Sequence, residues 1–213
     1  MNSVCDFPTP HAVQFQGSRL ARWLLGRLGW TVNFGGFPAL QGVAIVYPHT
    51  SNWDFVVMLL AKWSMGVPAR FWGKDSLFRV PLLGAWVRWL GGIALDRHSP
   101  RGAVSDMVAL MAEHRRQGRM LWLALSPEGT RRRTSGWRSG FYQVARGADV
   151  PLALIRLDYS RKQIDVTDFV RLSGDVAADH ARIAQLYGDA RGLHPELASP
   201  IQPLSKSTSL DTV

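Results

Sequence analysis

His49 and Asp54 stand five positions apart in the run Pro48-His49-Thr50-Ser51-Asn52-Trp53-Asp54. An imidazole with one ring nitrogen held by a carboxylate keeps the other free to take a proton, and the carboxylate stabilises the imidazolium that results. The spacing suits such a pair if His49 lies in a loop and Asp54 in the first turn of a following helix. Alone the pair is a weak sign, because the helix dipole also favours an aspartate in that turn. A second cluster is Ser126-Pro127-Glu128-Gly129-Thr130-Arg131, followed by Arg132, Arg133 and Arg138. It joins turn-forming residues to a hydroxyl and to guanidinium groups that fork onto phosphate oxygens. It reads equally as a turn with a solvated basic rim. In a third, Gly91-Gly92-Ile93-Ala94-Leu95-Asp96-Arg97, a short apolar stretch delivers a cation to a loop. There the Asp96-Arg97 step also fits an exposed ion pair of little consequence.

The elements around these clusters follow from hydrophobic patterning. Residues 43–47 form a short β-branched apolar run, expected as a buried strand, and 52–64 a helix with Phe55, Met58, Leu59 and Trp63 along one stripe. Further strands are expected over 69–73, 120–125 and 151–156, and a short apolar strand just before Arg97. A helix is expected from Ser99 as cap and Pro100 as first residue to a stop at Gly118, with Val104, Met107, Val108 and Met111 at helical spacing. Residues 141–146 and a segment capped by Asp175, with Ile183, Leu186 and Tyr187, complete the helices. Strands alternating with helices predict an α/β fold with a mainly parallel central sheet covered on both faces. In such sheets ligands gather beyond the carboxyl ends of the strands; at least two of the clusters end strands, so all three can face that edge.

Flanking this domain, expected over residues 19–194, are a loose arm (1–18) and a disordered Pro/Ser/Thr-rich tail (195–213). Residues 19–30 read as an amphipathic helix, with Leu20, Leu24, Leu25 and Leu28 on one face and Arg19, Arg22 and Arg27 on the other. Such a helix suits the headgroup plane of a membrane as well as simple packing on the domain. Residues 77–90, with Trp86 and Trp89, suit an acyl-chain groove, a membrane-dipping surface or an ordinary buried helix. The formal net charge of +9 points to anionic partners. No run of about 18 apolar residues predicts a spanning helix, and the first twenty residues lack the basic start and apolar core of a secretory signal. One cysteine, Cys5, rules out an internal disulfide.

The order HxxxxD, GGIxxDR, PEGTR and Val150-Pro151 with an apolar run resembles the glycerolipid acyltransferase family, whose best-known members are the lysophosphatidate acyltransferases. The likeness runs over residues 43–157. Pro48 stands where many members have Asn and the fourth motif lacks the common second proline, while the HTSNWD wording suggests a divergent bacterial subgroup. The resemblance implies transfer of a fatty acyl group from acyl-CoA or acyl-carrier protein to the hydroxyl of a lysophospholipid or glycerol-phosphate-type acceptor. It implies His49 as general base with Asp54 as its orienter. Arg97, with Lys74, Glu128, Gly129, Thr130 and Arg131, would bind or shape the acceptor site. It implies no metal and no cofactor beyond the acyl donor as co-substrate; no covalent acyl-enzyme is required, since Cys5 is poorly placed for one and Ser51 has no separate base. The expected partners are donor, lysolipid and an anionic membrane surface, with no nucleic acid. The expected location is cytoplasmic, peripheral to the inner face of the cell membrane. Two alternatives stay open on the same residues: a non-catalytic lipid-binding module and a thioesterase.

Overall fold

The structure, a computed structural model, describes residues 6–7, 11–95 and 100–204 of the 213. In chain order the elements are α1 (Arg19–Arg27), β1 (Thr31–Phe34), β2 (Gln41–Tyr47), α2 (Trp53–Met65), β3 (Arg70–Lys74), α3 (Asp75–Phe78), α4 (Pro81–Trp89) and β4 (Gly92–Leu95). Then follow α5 (Pro100–Arg116), β5 (Leu121–Leu125), α6 (Gly140–Gly147), β6 (Leu152–Asp158), β7 (Gln163–Val170) and α7 (Val176–Tyr187). The strands form one sheet in the order β1-β7-β6-β2-β5-β3-β4. Five strands run parallel, β7 lies antiparallel to β6, and β1 pairs parallel with β7.

Side chains on a strand alternate between faces, and here each face meets its own layer. Val43 and Ile45 of β2 with Leu152 and Leu154 of β6 pack among Met107 and Met111 of α5, Phe141 and Val144 of α6, and Ile183 and Tyr187 of α7. Ala44 and Val46 with Ala153, Ile155 and Leu157 face the opposite layer, with Val57 and Ala61 of α2, Phe37 and Trp122. A sheet apolar on both faces must be covered on both, so the near-continuous hydrophobicity of β2 and β6 is the mark of a central position.

The helix boundaries follow local chemistry. Ser18 Oγ accepts from Ala21 N at the start of α1, and the Asp175 carboxylate accepts from Ala177 N and Ala178 N at the start of α7. Pro100 is the first residue of α5, as expected; its expected cap, Ser99, lies outside the described residues.

Four segments differ from the sequence reading. Strands β1 and β7 have no counterpart in it. Residues 11–17, read as part of a loose arm, pack on the body: Val13 and Phe37 exchange backbone hydrogen bonds, and His11 is buried. Residues 195–204, read as the start of a disordered tail, are also built in. A 3-10 turn spans Pro195–Leu197, Ser199 is fully buried, and Trp137 exchanges backbone hydrogen bonds with Gln202 and Leu204. The segment is held mainly by hydrogen bonds, among them Ser199 Oγ with Thr134 and Gln202 Nε2 to Ser135 O, with Ile201 packed against the core. Residues 205–213 lie outside the described residues.

Candidate active site

Strand β2 ends at Tyr47, and the loop 48–52 turns the chain into α2, so His49 leaves the carboxyl edge of the central strand while Asp54 falls in the first helical turn. The two side chains meet: His49 Nδ1 lies 3.0 Å from Asp54 Oδ2. The same oxygen accepts from Thr50 N at 2.8 Å and Ser51 N at 2.9 Å. Its partner Oδ1 accepts from the Tyr159 hydroxyl at 2.7 Å. Asp54 is 1% exposed. Burial alone raises its carboxyl pKa, but the hydrogen bonds from His49, Ser51 and Tyr159 outweigh burial and hold it below the usual 3.8. Asp54 therefore stays a carboxylate, and the geometry suits Nδ1–H donation, which leaves His49 Nε2 as the imidazole's basic nitrogen.

Glu128, from the loop after β5, braces this arrangement. Its Oε2 accepts from His49 N at 2.7 Å and its Oε1 from Ser199 N at 2.8 Å. Burial pushes the Glu128 carboxyl up despite those bonds. With both oxygens taken by backbone N–H groups, Glu128 shapes the loop that carries His49. Gly129 adopts φ +66°, the left-handed region in which a side chain is strained and glycine is favoured. Thr130 Oγ1 accepts from Arg132 N at 3.3 Å, closing the turn. Arg131, Arg132 and Arg133 are exposed and make no ion pair among the described residues. Arg97 lies outside the described residues, and Lys74 is described in its backbone only, at the end of β3.

Tyr159 and Ser199 escaped the sequence reading. Tyr159 stands three residues beyond the Tyr47↔Arg156 pair of β2 and β6, so it reaches the same sheet edge as His49. Its hydroxyl pKa is driven up by burial and by the bond to Asp54, and its ring meets Trp30 edge-on at 4.8 Å. Only the strand pairing, not the residue type, would have pointed to it. Ser199 lies in the segment taken for disordered.

A cavity of about 210 Å³ opens beside the His–Asp pair. Phe55, Met58 and Leu59 of α2 line one side; Val46, Ala124 and Ile155 of the sheet line the other. The apolar cavity thus runs beneath α2. Residues 77–90, one expected place for an acyl groove, are not among its lining residues, and Leu82 and Trp89 there are 88% and 73% exposed. Among the described residues no group of three or more His, Cys, Asp or Glu gathers as metal ligands do.

The fold and site define an α/β protein with a His–Asp pair at the carboxyl edge of a mainly parallel sheet. The sequence profile of the Acyltransferase family matches residues 32–156, more than half of the chain, and the chain belongs to that family. Among solved structures, the crystal structure of the 1-acyl-sn-glycerophosphate (LPA) acyltransferase PlsC from Thermotoga maritima is similar, with a TM-score of 0.48 and 16% identity over 78% of this chain and 73% of that one. Comparison with curated proteins finds no sequence match.

Proposed function

We propose that the protein transfers a fatty acyl group from acyl-CoA or acyl-carrier protein to the hydroxyl of a lysophospholipid or glycerol-phosphate-type acceptor. The observation that carries this reading is the His49–Asp54 pair, fixed by four hydrogen-bonding partners of one carboxylate, at the mouth of an apolar cavity. His49 Nε2 takes the acceptor's hydroxyl proton as its oxygen attacks the thioester carbonyl carbon. The C–S bond then breaks and the thiolate leaves, a good leaving group because thiols ionise near pH ~8.5. The imidazolium returns its proton to that thiolate or to solvent. The apolar cavity suits the acyl chain. Arg131, and by family likeness Arg97 and Lys74, suit the acceptor's phosphate, and holding it makes attack effectively intramolecular.

The reading includes docking on an anionic membrane at the cytoplasmic face. No helix among the described residues is long and apolar enough to cross a membrane. Yet α1 buries only Ala21 and Leu25 and exposes Leu20 and Trp23, with Leu28 exposed just past its end. It packs beside α2 through Ser18 N to Trp63 O, and Trp63 meets Trp89 of α4 at 6.3 Å. Exposed tryptophans and leucines on adjoining helices, in a chain of net charge +9, suit the interface of an acidic bilayer.

The test is incubation of the purified protein with a labelled acyl thioester and a panel of lysolipids, with the products resolved. Label in a diacyl lipid supports the reading. Free fatty acid whose yield no lysolipid redirects would make the protein a thioesterase, and no turnover of any donor would leave a lipid-binding module.

A further inference from the structure

The two oxygens of the Asp54 carboxylate are held unequally. Oδ2 meets His49 Nδ1, Thr50 N and Ser51 N, all from the loop that leads into α2. Oδ1 has one donor among the described residues, the Tyr159 hydroxyl at 2.7 Å, and it comes from the turn after β6. Donors that meet at one oxygen leave a carboxylate free to pivot about it; a donor on the second oxygen fixes its plane. Asp54 is 1% exposed, so solvent does not stand in for that donor.

The turn that carries Tyr159 is held by bonds that do not use the phenol. Tyr159 N donates to Arg191 O at 2.8 Å. The Asp158 carboxylate accepts from Ser160 N at 2.9 Å and from Arg161 Nη1 at 2.6 Å, and Arg161 pairs with Asp189 at 2.8 Å. Trp30 meets the Tyr159 ring edge-on. The ring is thus placed from its backbone and its flank, and the hydroxyl is left for Asp54. Burial and the carboxylate push the hydroxyl's pKa up, so Tyr159 stays a donor and is not a second base.

We propose that Tyr159 is a positioning residue of the general base: by fixing Oδ1 of Asp54 it sets the carboxylate plane that orients His49, and so aims Nε2 at the acceptor's hydroxyl. This inference rests on the acyl-transfer reading, and it brings the β6–β7 turn into the machinery of the reaction. Nε2 takes the acceptor's proton, while the phenol keeps its own throughout. The titratable groups that face Asp54 are the His49 imidazole from the loop and the Tyr159 phenol from the turn; Glu128 reaches them only through His49 N. Without the phenol, the carboxylate is a stronger acceptor for Nδ1–H and favours the imidazolium, so the free base is lost at a higher pH.

The experiment follows steady-state transfer from an acyl thioester to a lysolipid over a pH series, with wild type, Tyr159→Phe and Arg161→Ala. Phenylalanine keeps a ring against Trp30 and removes only the hydroxyl. Arg161→Ala loosens the same turn through Asp158 and Asp189 without touching the phenol. Tyr159→Phe is expected to lower kcat by on the order of 10- to 100-fold, the range that a hydrogen bond to a charged group spans. Its donor and acceptor KM should stay close to wild type, with the acid limb of kcat/KM at higher pH. Arg161→Ala is expected to lower Tm and leave the acid limb in place. A Tyr159→Phe protein with the kcat and acid limb of wild type overturns the proposal. So does an acid limb displaced equally in both variants, which would make the effect one of turn stability. A wild type that transfers no acyl group to any acceptor overturns the acyl-transfer reading and this role with it; the other two results require an active wild type, which separates the two failures.

Discussion

At the scale of single residues, the site is organised around one carboxylate. Asp54 receives the imidazole, two backbone N–H groups and a phenol hydroxyl, and its orientation is fixed before any substrate arrives. Because its pKa is lowered in the folded protein, its contribution to stability is fully present above the ordinary 3.8 and is lost as pH falls through the lowered value. The Tm of wild type is therefore expected to exceed that of Asp54→Asn at neutral pH, with the gap narrowing below that point in a series of melts. Tyr159→Phe removes a donor to a charged acceptor and is expected to cost about 1.5–3 kcal/mol in denaturant unfolding. It also lets the Asp54 carboxyl rise, so the variant's acid transition moves to higher pH. That His49 and Asp54 could meet was legible as a local matter of spacing across a strand–helix junction, but what singled the pair out was its order with the GGIxxDR and PEGTR motifs. Tyr159 was not legible, because 105 positions separate it from the carboxylate it serves and only the pairing of β6 with β2 brings it there.

At the scale of elements, the parallel core was legible and its wing was not. β2, β5 and β6 are apolar runs buried on both faces and bounded by turn residues, which is the pattern of central parallel strands. β7 (Gln163–Val170) mixes Asp165, Thr167 and Asp168 into its run, and the four-residue β1 is too short for a period to register. The tail misled for another reason: residues 195–204 are held by hydrogen bonds to Glu128, Thr134, Ser135 and Trp137, which composition cannot announce. A chain ending at residue 194 is therefore expected to melt at a lower temperature than the full chain and to lose activity, since Glu128, which holds His49 N through Oε2, loses Ser199 N as the anchor of its Oε1. Glu128→Gln is expected to act in the same direction with the chain intact, because an amide presents only one acceptor to two buried N–H groups. A Tm and turnover equal to wild type in both variants would show that the brace is dispensable.

At the scale of the whole molecule, one side of the sheet carries a cavity under α2, and the neighbouring helices α1 and α4 expose tryptophan and leucine. A helix near the N-terminus was readable from its leucines and arginines over residues 19–30, and it forms over Arg19–Arg27. That Leu20 and Trp23 stay outside while Ala21 and Leu25 turn inward was not readable, because either face of such a helix can be the packed one. Trp23→Glu and Leu82→Glu lie at positions 60% and 88% exposed, so each is expected to leave Tm nearly unchanged while weakening sedimentation with anionic vesicles. Retained vesicle binding in the double variant would remove this surface from the account. Raised salt should weaken binding as well, since part of the attraction is between a basic protein and an acidic surface.

The central claim is that His49 takes the acceptor's proton, and the most direct measurement is acyl transfer to a lysolipid by purified, folded His49→Ala beside the wild type under saturating donor. The account predicts a loss of roughly 10²–10⁴-fold in turnover, with unfolding behaviour that shows the variant intact. A folded His49→Ala protein that transfers acyl groups at the wild-type rate would contradict it.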